Sequence, residues 1–284
     1  YRRGDRSRIM GRLESLGGVG RIAGVLTGGL LYDRMGTTME GWGFYEGSLF
    51  WISALAMFAS VFPMFLVPEG GIGRTENKDD GAPETGKALS KIFFIFLGAM
   101  TLINFGRNAV TVTFPQYLTL DTGLNMSAMT LGHVTNLRSI GIILTGFLAG
   151  PLCRRFGDRA TLGASSAAAA LALFIIGATS CVPWICTASF LMGFSEVLII
   201  AASYELAAAF IPAQKRGTYF ALFNATFFLS WGIGATCIAG PVTDGLLALG
   251  KTEAHAYMTS FSACGLVALS GMVLLLILYG FEKK

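Results

Sequence analysis

The sequence predicts an all-α, polytopic helical membrane protein, and three observations predict it. The 284 residues are 53% hydrophobic and only 13% charged, with a mean hydropathy of +0.61. A soluble domain carries about 25% charged residues, so this chain has too little charge to solvate a surface of its size. Apolar stretches recur that are long enough to cross about 30 Å of hydrocarbon at about 1.5 Å per residue. The basic residues fall in alternate connecting segments, the pattern that orients membrane helices.

Taken in order, the first span is 13–32. Glu14 and Arg21 interrupt it, and its glycine content fits a packed, lipid-shielded helix. The second is 44–67. The polar stretch 69–90 contains Gly, Asp and Glu with Pro83, and reads as a flexible cytoplasmic linker. Six further spans follow at 92–118, 131–153, 160–180, 184–208, 218–242 and 257–280. The stretch 160–180 carries no charge, and Pro183 opens the next helix where a missing N–H costs nothing. The chain therefore divides into 1–68, with two spans, the linker 69–90, and 91–284, a six-helix bundle.

With the basic N-terminal end placed inside, sixteen of the 21 Lys and Arg lie in cytoplasmic segments. These are Arg2, Arg3, Arg6, Arg8 and Arg12, then Arg74, Lys78, Lys87 and Lys91, then Arg154, Arg155 and Arg159, then Lys215 and Arg216, then Lys283 and Lys284. The outer segments hold only Arg34 and Lys251. This bias predicts a multi-pass protein of the plasma or bacterial inner membrane with both ends cytoplasmic. The net charge of +4 is thus a matter of topology and not a nucleic-acid footprint. Five scattered cysteines without a CxxC pair, and two distant histidines, point to no metal site and no cofactor. No HExxH, GxSxG or phosphate loop suggests an enzyme, and no repeated filter suggests a channel. The chain opens on Tyr1-Arg2-Arg3-Gly4-Asp5 with neither an initiator Met nor a signal-peptide pattern, and is expected to be the back part of a longer protein.

Glycine costs about 1 kcal/mol against alanine inside a helix, yet Gly20, Gly24, Gly28 and Gly29 crowd one segment. In lipid, small residues four apart let helix backbones approach closely. The stretch Gly20-xxx-Gly24-Val25-xx-Gly28-Gly29 resembles the fifth-helix motif gxxxGPxxGG of the major facilitator superfamily of secondary transporters, with Val25 in place of its proline. Residues 150–159 are similar to that family's loop motif Gly-x-x-x-Asp-Arg-x-Gly-Arg-Arg. Gly150, Arg155, Gly157 and Arg159 match, while Arg154 and Asp158 depart from it. Arg216, after Pro212-Ala213-Gln214-Lys215, sits in a basic turn like the one before the family's eleventh helix, and Arg3-Gly4 looks like its counterpart. Gly232, Gly234, Gly240 and Pro241 loosely echo the first glycine run.

The resemblance covers nearly the whole chain, from about the fifth to the twelfth helix. It implies a partial N-terminal half, completed by missing N-terminal helices of the same protein, and a complete six-helix C-terminal half, in a monomer. It further implies secondary transport of a small-molecule substrate, with the glycine motif belonging to drug exporters that exchange protons. The alternatives are an uptake permease for an anionic or zwitterionic metabolite, and a receptor-like protein that moves nothing.

Ionisable groups inside a bilayer are costly and face the bundle interior or a wet cavity. Arg21, Arg107, Arg138 and Glu196 are such groups. Asn104, Arg107, Asn108 and Thr111 share a helical face, and Gly106 beside them is expected to soften that helix. Arg107 and Arg138 then face a central cavity with Glu196 as counter-charge or proton carrier, or else the three form an internal salt bridge. Asn224 and Trp231, seven apart on one face, offer a hydrogen bond and a ring to a substrate. Tyr117 and Trp184 read as interface anchors.

Overall fold

In a computed structural model of the chain, the described residues are 5–35, 48–66, 83–211 and 216–281, and they are all-α, without a strand among them. The helices are α1 (Asp5–Met35), α2 (Ser48–Ala59), α3 (Pro83–Thr119), α4 (Ala128–Phe156), α5 (Asp158–Ala178), α6 (Val182–Phe210), α7 (Arg216–Gly234), α8 (Gly240–Ala248) and α9 (Glu253–Phe281). Among the described residues, six segments are long and apolar enough to cross a membrane: Lys91–Thr119, Met129–Phe156, Asp158–Ala178, Val182–Phe210, Arg216–Ala248 and Glu253–Gly280. They coincide with the six spans expected after the polar stretch. The span expected at 13–32 is helical, within α1, and is not one of these six. Of the expected linker, 83–90 is already the first part of α3, and 69–82 lies outside the described residues. So do Arg3, Gly4, and the turn 212–215 before Arg216.

The chain forms two compact units, one of Tyr1–Ile22 with Glu84–Lys284 and the other Ala23–Pro83. In the smaller unit, α2 is followed by a 3-10 turn at Phe62–Leu66, and Trp51, Leu55, Phe58, Phe62 and Phe65 are exposed.

In the larger unit α6 is the central helix, packed against α4 and α5, and α5 in turn packs against α9. Half of the buried residues of α6 are Gly, Ala or Ser, among them Ala188, Ser189, Gly193, Ser195, Ala201, Ala202 and Ser203. In lipid there is no water-driven force between helices, so close backbone approach through small residues is what holds such a bundle. Single glycines mark the closest approaches. A Cβ at Gly141 would meet the backbone oxygen of Phe190 at 2.5 Å, and one at Gly106 would meet the backbone nitrogen of Ala268 at 2.5 Å. Gly106 therefore does not soften α3, which runs unbroken past it; it admits α9. Aromatic and aliphatic side chains fill the spaces between, with Phe93, Phe96, Met100, Phe210, Phe223 and Leu275 at one end. Phe114, Tyr117, Ile176, Ile185 and Phe261 fill the other. Tyr117 is fully buried beside Phe261 and hydrogen-bonds Ser180, so it is a core residue and not an interface anchor.

The turns follow from their residues. The hydroxyl of Ser127 accepts from the backbone N–H of Thr130 and caps α4. Gly157 joins α4 to α5 with φ +81° and ψ 152°, a conformation open essentially to glycine alone. Between α7 and α8 lies a π-helical turn, Ala235–Ala239, flanked by Gly234 and Gly240. The carbonyl of Ala239 there accepts from Thr243 and from Ser260 of α9, both at 2.9 Å.

Candidate functional site

Glu196 occupies the interior of α6 because the residues around it are small enough for α4 to come close. At Gly193 the backbone carbonyl of Arg138 lies where a side chain would otherwise stand. That approach brings the Arg138 guanidinium onto the Glu196 carboxylate, Nε and Nη2 donating to Oε2 at 3.1 and 2.7 Å. The other oxygen, Oε1, accepts from Arg21 Nη1 at 3.2 Å. Arg21 also reaches Glu14 of its own helix through Nη2, at 3.3 Å. The Glu196 side chain is 7% exposed, against 44% for Arg21.

Arg21 stands there because α1 lies along α4 by a stripe of small residues. A Cβ at Gly11 would meet the backbone oxygen of Gly146 at 2.5 Å, and one at Gly18 would meet Ile143 at 2.8 Å. Between them Ser15 donates to the carbonyl of Ile143 at 2.9 Å. The motif glycines lie elsewhere: a Cβ at Gly20, Gly24 or Gly28 meets nothing within 4 Å, and the surroundings of Gly29 are outside the described residues. Within the larger unit, the seam of α1 is thus Gly11, Ser15 and Gly18, a different stripe from the one that glycine spacing suggested.

Arg107 enters from α3 and is 7% exposed. Its Nε donates to Asn104 Oδ1 at 3.1 Å, and its guanidinium carbon lies 5.8 Å from the centre of the Phe227 ring. Among the described residues its two terminal nitrogens make no hydrogen bond. It lines a cavity of about 10 Å³ with Arg138, Ala169, Leu173, Met192 and Ser195, room for about one water molecule. The rest of the polar face of α3 is engaged by α7: Asn104 Nδ2 donates to Thr226 at 3.0 Å and Asn108 Nδ2 to Ser230 at 2.7 Å. Of the expected site residues, Arg21, Arg138 and Glu196 are therefore joined directly. Arg107 shares the cavity with Arg138, and Asn104 and Asn108 position α3 against α7.

Asn224 takes a hydrogen bond from Tyr204 of α6. Trp231 is 52% exposed and joins none of the cluster's contacts. Around the junction of α4 and α5, Gly150 near the end of α4 admits the backbone of Arg8, Arg155 of α4 lies over the Phe156 ring, and Arg159 in the first turn of α5 lies over that of Tyr279 in α9. Arg216 opens α7 and is exposed. Glu14 belongs to these networks too, as do Ser195, Tyr204, Thr226 and Ser230, which the sequence does not single out. Only Glu14 gave a signal, as an acid seven residues before Arg21 on the same face.

Three guanidinium groups thus meet two carboxylates, an excess of one positive charge in a medium that screens it poorly. Among the described residues no group of three or more His, Cys, Asp or Glu could hold a metal ion. Residues 95–284 match the family model of the Major Facilitator Superfamily. No curated protein matches the chain.

Proposed function

The chain belongs to the Major Facilitator Superfamily of secondary transporters, and from that premise we propose that the cluster of Glu14, Arg21, Arg107, Arg138 and Glu196 lines the route of a small organic solute. The observation that carries this is the convergence of charges from α1, α3, α4 and α6 on one buried point. Charges inside a bilayer are costly and mark solute and ion pathways. In this reading 91–284 is the C-terminal six-helix half and 1–68 brings the last two helices of the N-terminal half, both ends being cytoplasmic and the carrier a monomer. The likeness of residues 20–29 to the exporter motif supports proton-coupled efflux, with Glu196 as the proton-carrying group. A second reading, uptake of an anionic or zwitterionic metabolite, is favoured by the excess of arginine over carboxylate.

Reconstitution of the full-length protein in proteoliposomes tests the proposal. Flux of a solute panel is measured with and without an imposed pH gradient, for the parent and for Arg107→Ala and Arg107→Lys. Loss of about tenfold or more in rate or affinity, in line with a buried charged contact, is expected from both variants. Unchanged rate and affinity in both would remove Arg107 from the route. Tight binding of a solute without flux would favour a receptor of the same fold.

A further inference from the structure

We propose that Arg107 and Arg138 form an anion-binding pair, that Glu196 is its resident occupant in this structure, and that a carboxylate or phosphate group of the solute binds by displacing it. This rests on the reading that the cluster lines the solute route. Arg107 is more than nine-tenths buried, yet only its Nε has a hydrogen-bond acceptor among the described residues, Asn104. A guanidinium presents five N–H donors in a fixed fork that matches carboxylate and phosphate. The donors left over belong to a residue lining the same cavity as Arg138, whose own fork is filled by Glu196 Oε2. The cavity walls add the apolar Ala169, Leu173 and Met192, and Ser195, whose hydroxyl hydrogen is committed to the Met192 carbonyl. No acid other than Glu196 is within salt-bridge distance of Arg138 among the described residues.

The cavity is too small for an organic anion while Glu196 holds Arg138, so entry requires that carboxylate to leave. The structure provides a place for it. Glu196 Oε1 already accepts from Arg21, and a carboxylate released by Arg138 stays paired with that half-exposed arginine. Displacement therefore exchanges one anion for another at Arg138; Glu196 keeps only its exposed contact with Arg21, and the incoming anion offsets that loss by engaging Arg107 as well as Arg138. Glu196 in this scheme is a competitor of the solute, a role opposite to that of an acid that receives a cationic drug. The two roles predict opposite effects of removing the charge.

The test uses the full-length protein purified in detergent, with thermal unfolding followed in titrations of sodium succinate, sodium acetate and sodium phosphate at constant ionic strength. Tetraethylammonium chloride serves as the cationic probe. Saturable stabilisation by at least one anion is expected for the parent. The half-saturating concentration should fall about tenfold in Glu196→Gln and rise about tenfold in Arg107→Gln, each the effect of about 1.4 kcal/mol. Arg21→Gln, at a half-exposed position, should raise it as well, because Glu196 then has no second holder and stays on Arg138. If Glu196→Gln does not fold, Arg21→Gln decides: an unchanged half-saturation overturns the proposal. Weaker anion binding in Glu196→Gln, or a saturable response to tetraethylammonium that this substitution abolishes, overturns it too. A parent protein that carries solute across proteoliposomes but shows no saturable anion effect sinks the displacement scheme and leaves the transport reading standing. Anion binding without flux has the reverse meaning.

Discussion

Replacing Arg138 by methionine isolates the cost of the buried carboxylate. Arg138 donates twice to one oxygen of Glu196, at 3.1 and 2.7 Å, and the Glu196 side chain is 7% exposed. Removing one partner of a buried pair costs about 3–5 kcal/mol, since the remaining charge is left uncompensated. Arg21 stays on the other oxygen, but its side chain is 44% exposed, and a partner so exposed is worth about 0–1 kcal/mol. The expected loss is therefore about 3 kcal/mol. In a unit of this size each kcal/mol moves the unfolding midpoint by about 2–4 °C, so circular dichroism at 222 nm in detergent should show a fall of about 6–12 °C. The double variant Arg138→Met with Glu196→Met removes both charges and keeps the volume, and should return to within about 1 kcal/mol of the parent. A single variant melting within 2 °C or so of the parent would show that Arg138 does not neutralise Glu196. A double variant as unstable as the single one would place the cost in shape and not in charge.

Three further outcomes follow from the packing. Gly106→Ala places a Cβ 2.5 Å from the backbone of Ala268 and should destabilise by about 1–3 kcal/mol in the same melt; Gly20→Ala, which meets nothing, should be neutral or stabilising by up to about 1 kcal/mol. Gly157→Ala, at φ +81°, should cost about 1–3 kcal/mol through backbone strain, and Gly163→Ala, which meets nothing within 4 Å in the helix just beyond it, is its control. Asn104→Leu and Thr226→Val, tested singly and together, should show a coupling energy of about 0.6 kcal/mol, the average found between polar pairs of membrane helices; additive effects would mean that the contact contributes nothing.

What the sequence discloses of this molecule follows from length scales. A span of hydrocarbon demands an uninterrupted apolar run, so the six crossing helices and their loops stand out, and the spacing of three and four that joins Asn104, Arg107 and Asn108 is equally plain. Their partners do not stand out. Thr226 and Ser230 each donate to a carbonyl three residues back in their own helix, Phe223 and Phe227, the usual occupation of a hydroxyl in a membrane helix, and nothing in the spacing says that α3 also uses their oxygens. The seam of α1 against α4 is hidden for a related reason. Gly20, Gly24 and Gly28 make the more regular stripe, but a helix has several faces, and the one laid against α4 is the mixed set Gly11, Ser15 and Gly18. Contacts made by single glycines such as Gly106 and Gly193 carry no periodicity at all. The ionic centre was visible as four costly residues, while its pairing, with Glu196 shared between two arginines, depends on how three helices come together.

The π-helical turn at Ala235–Ala239 has a consequence for the face that α7 and α8 present. The N–H of Gly240 reaches back five residues to Ala235, so the segment Arg216–Ala248 contains one residue more than a regular helix of the same rise. One residue is about 100° of rotation at 3.6 per turn. Everything beyond Ala239 is thus turned by more than a quarter circle out of phase with Asn224, Thr226 and Ser230. A single-residue deletion within 235–239 would restore an even screw, carry Thr243 to another side of the helix, and draw the Ala239 carbonyl away from Ser260. The segment acts as two rods of one material, clocked differently at a joint, and each rod keeps its own neighbour.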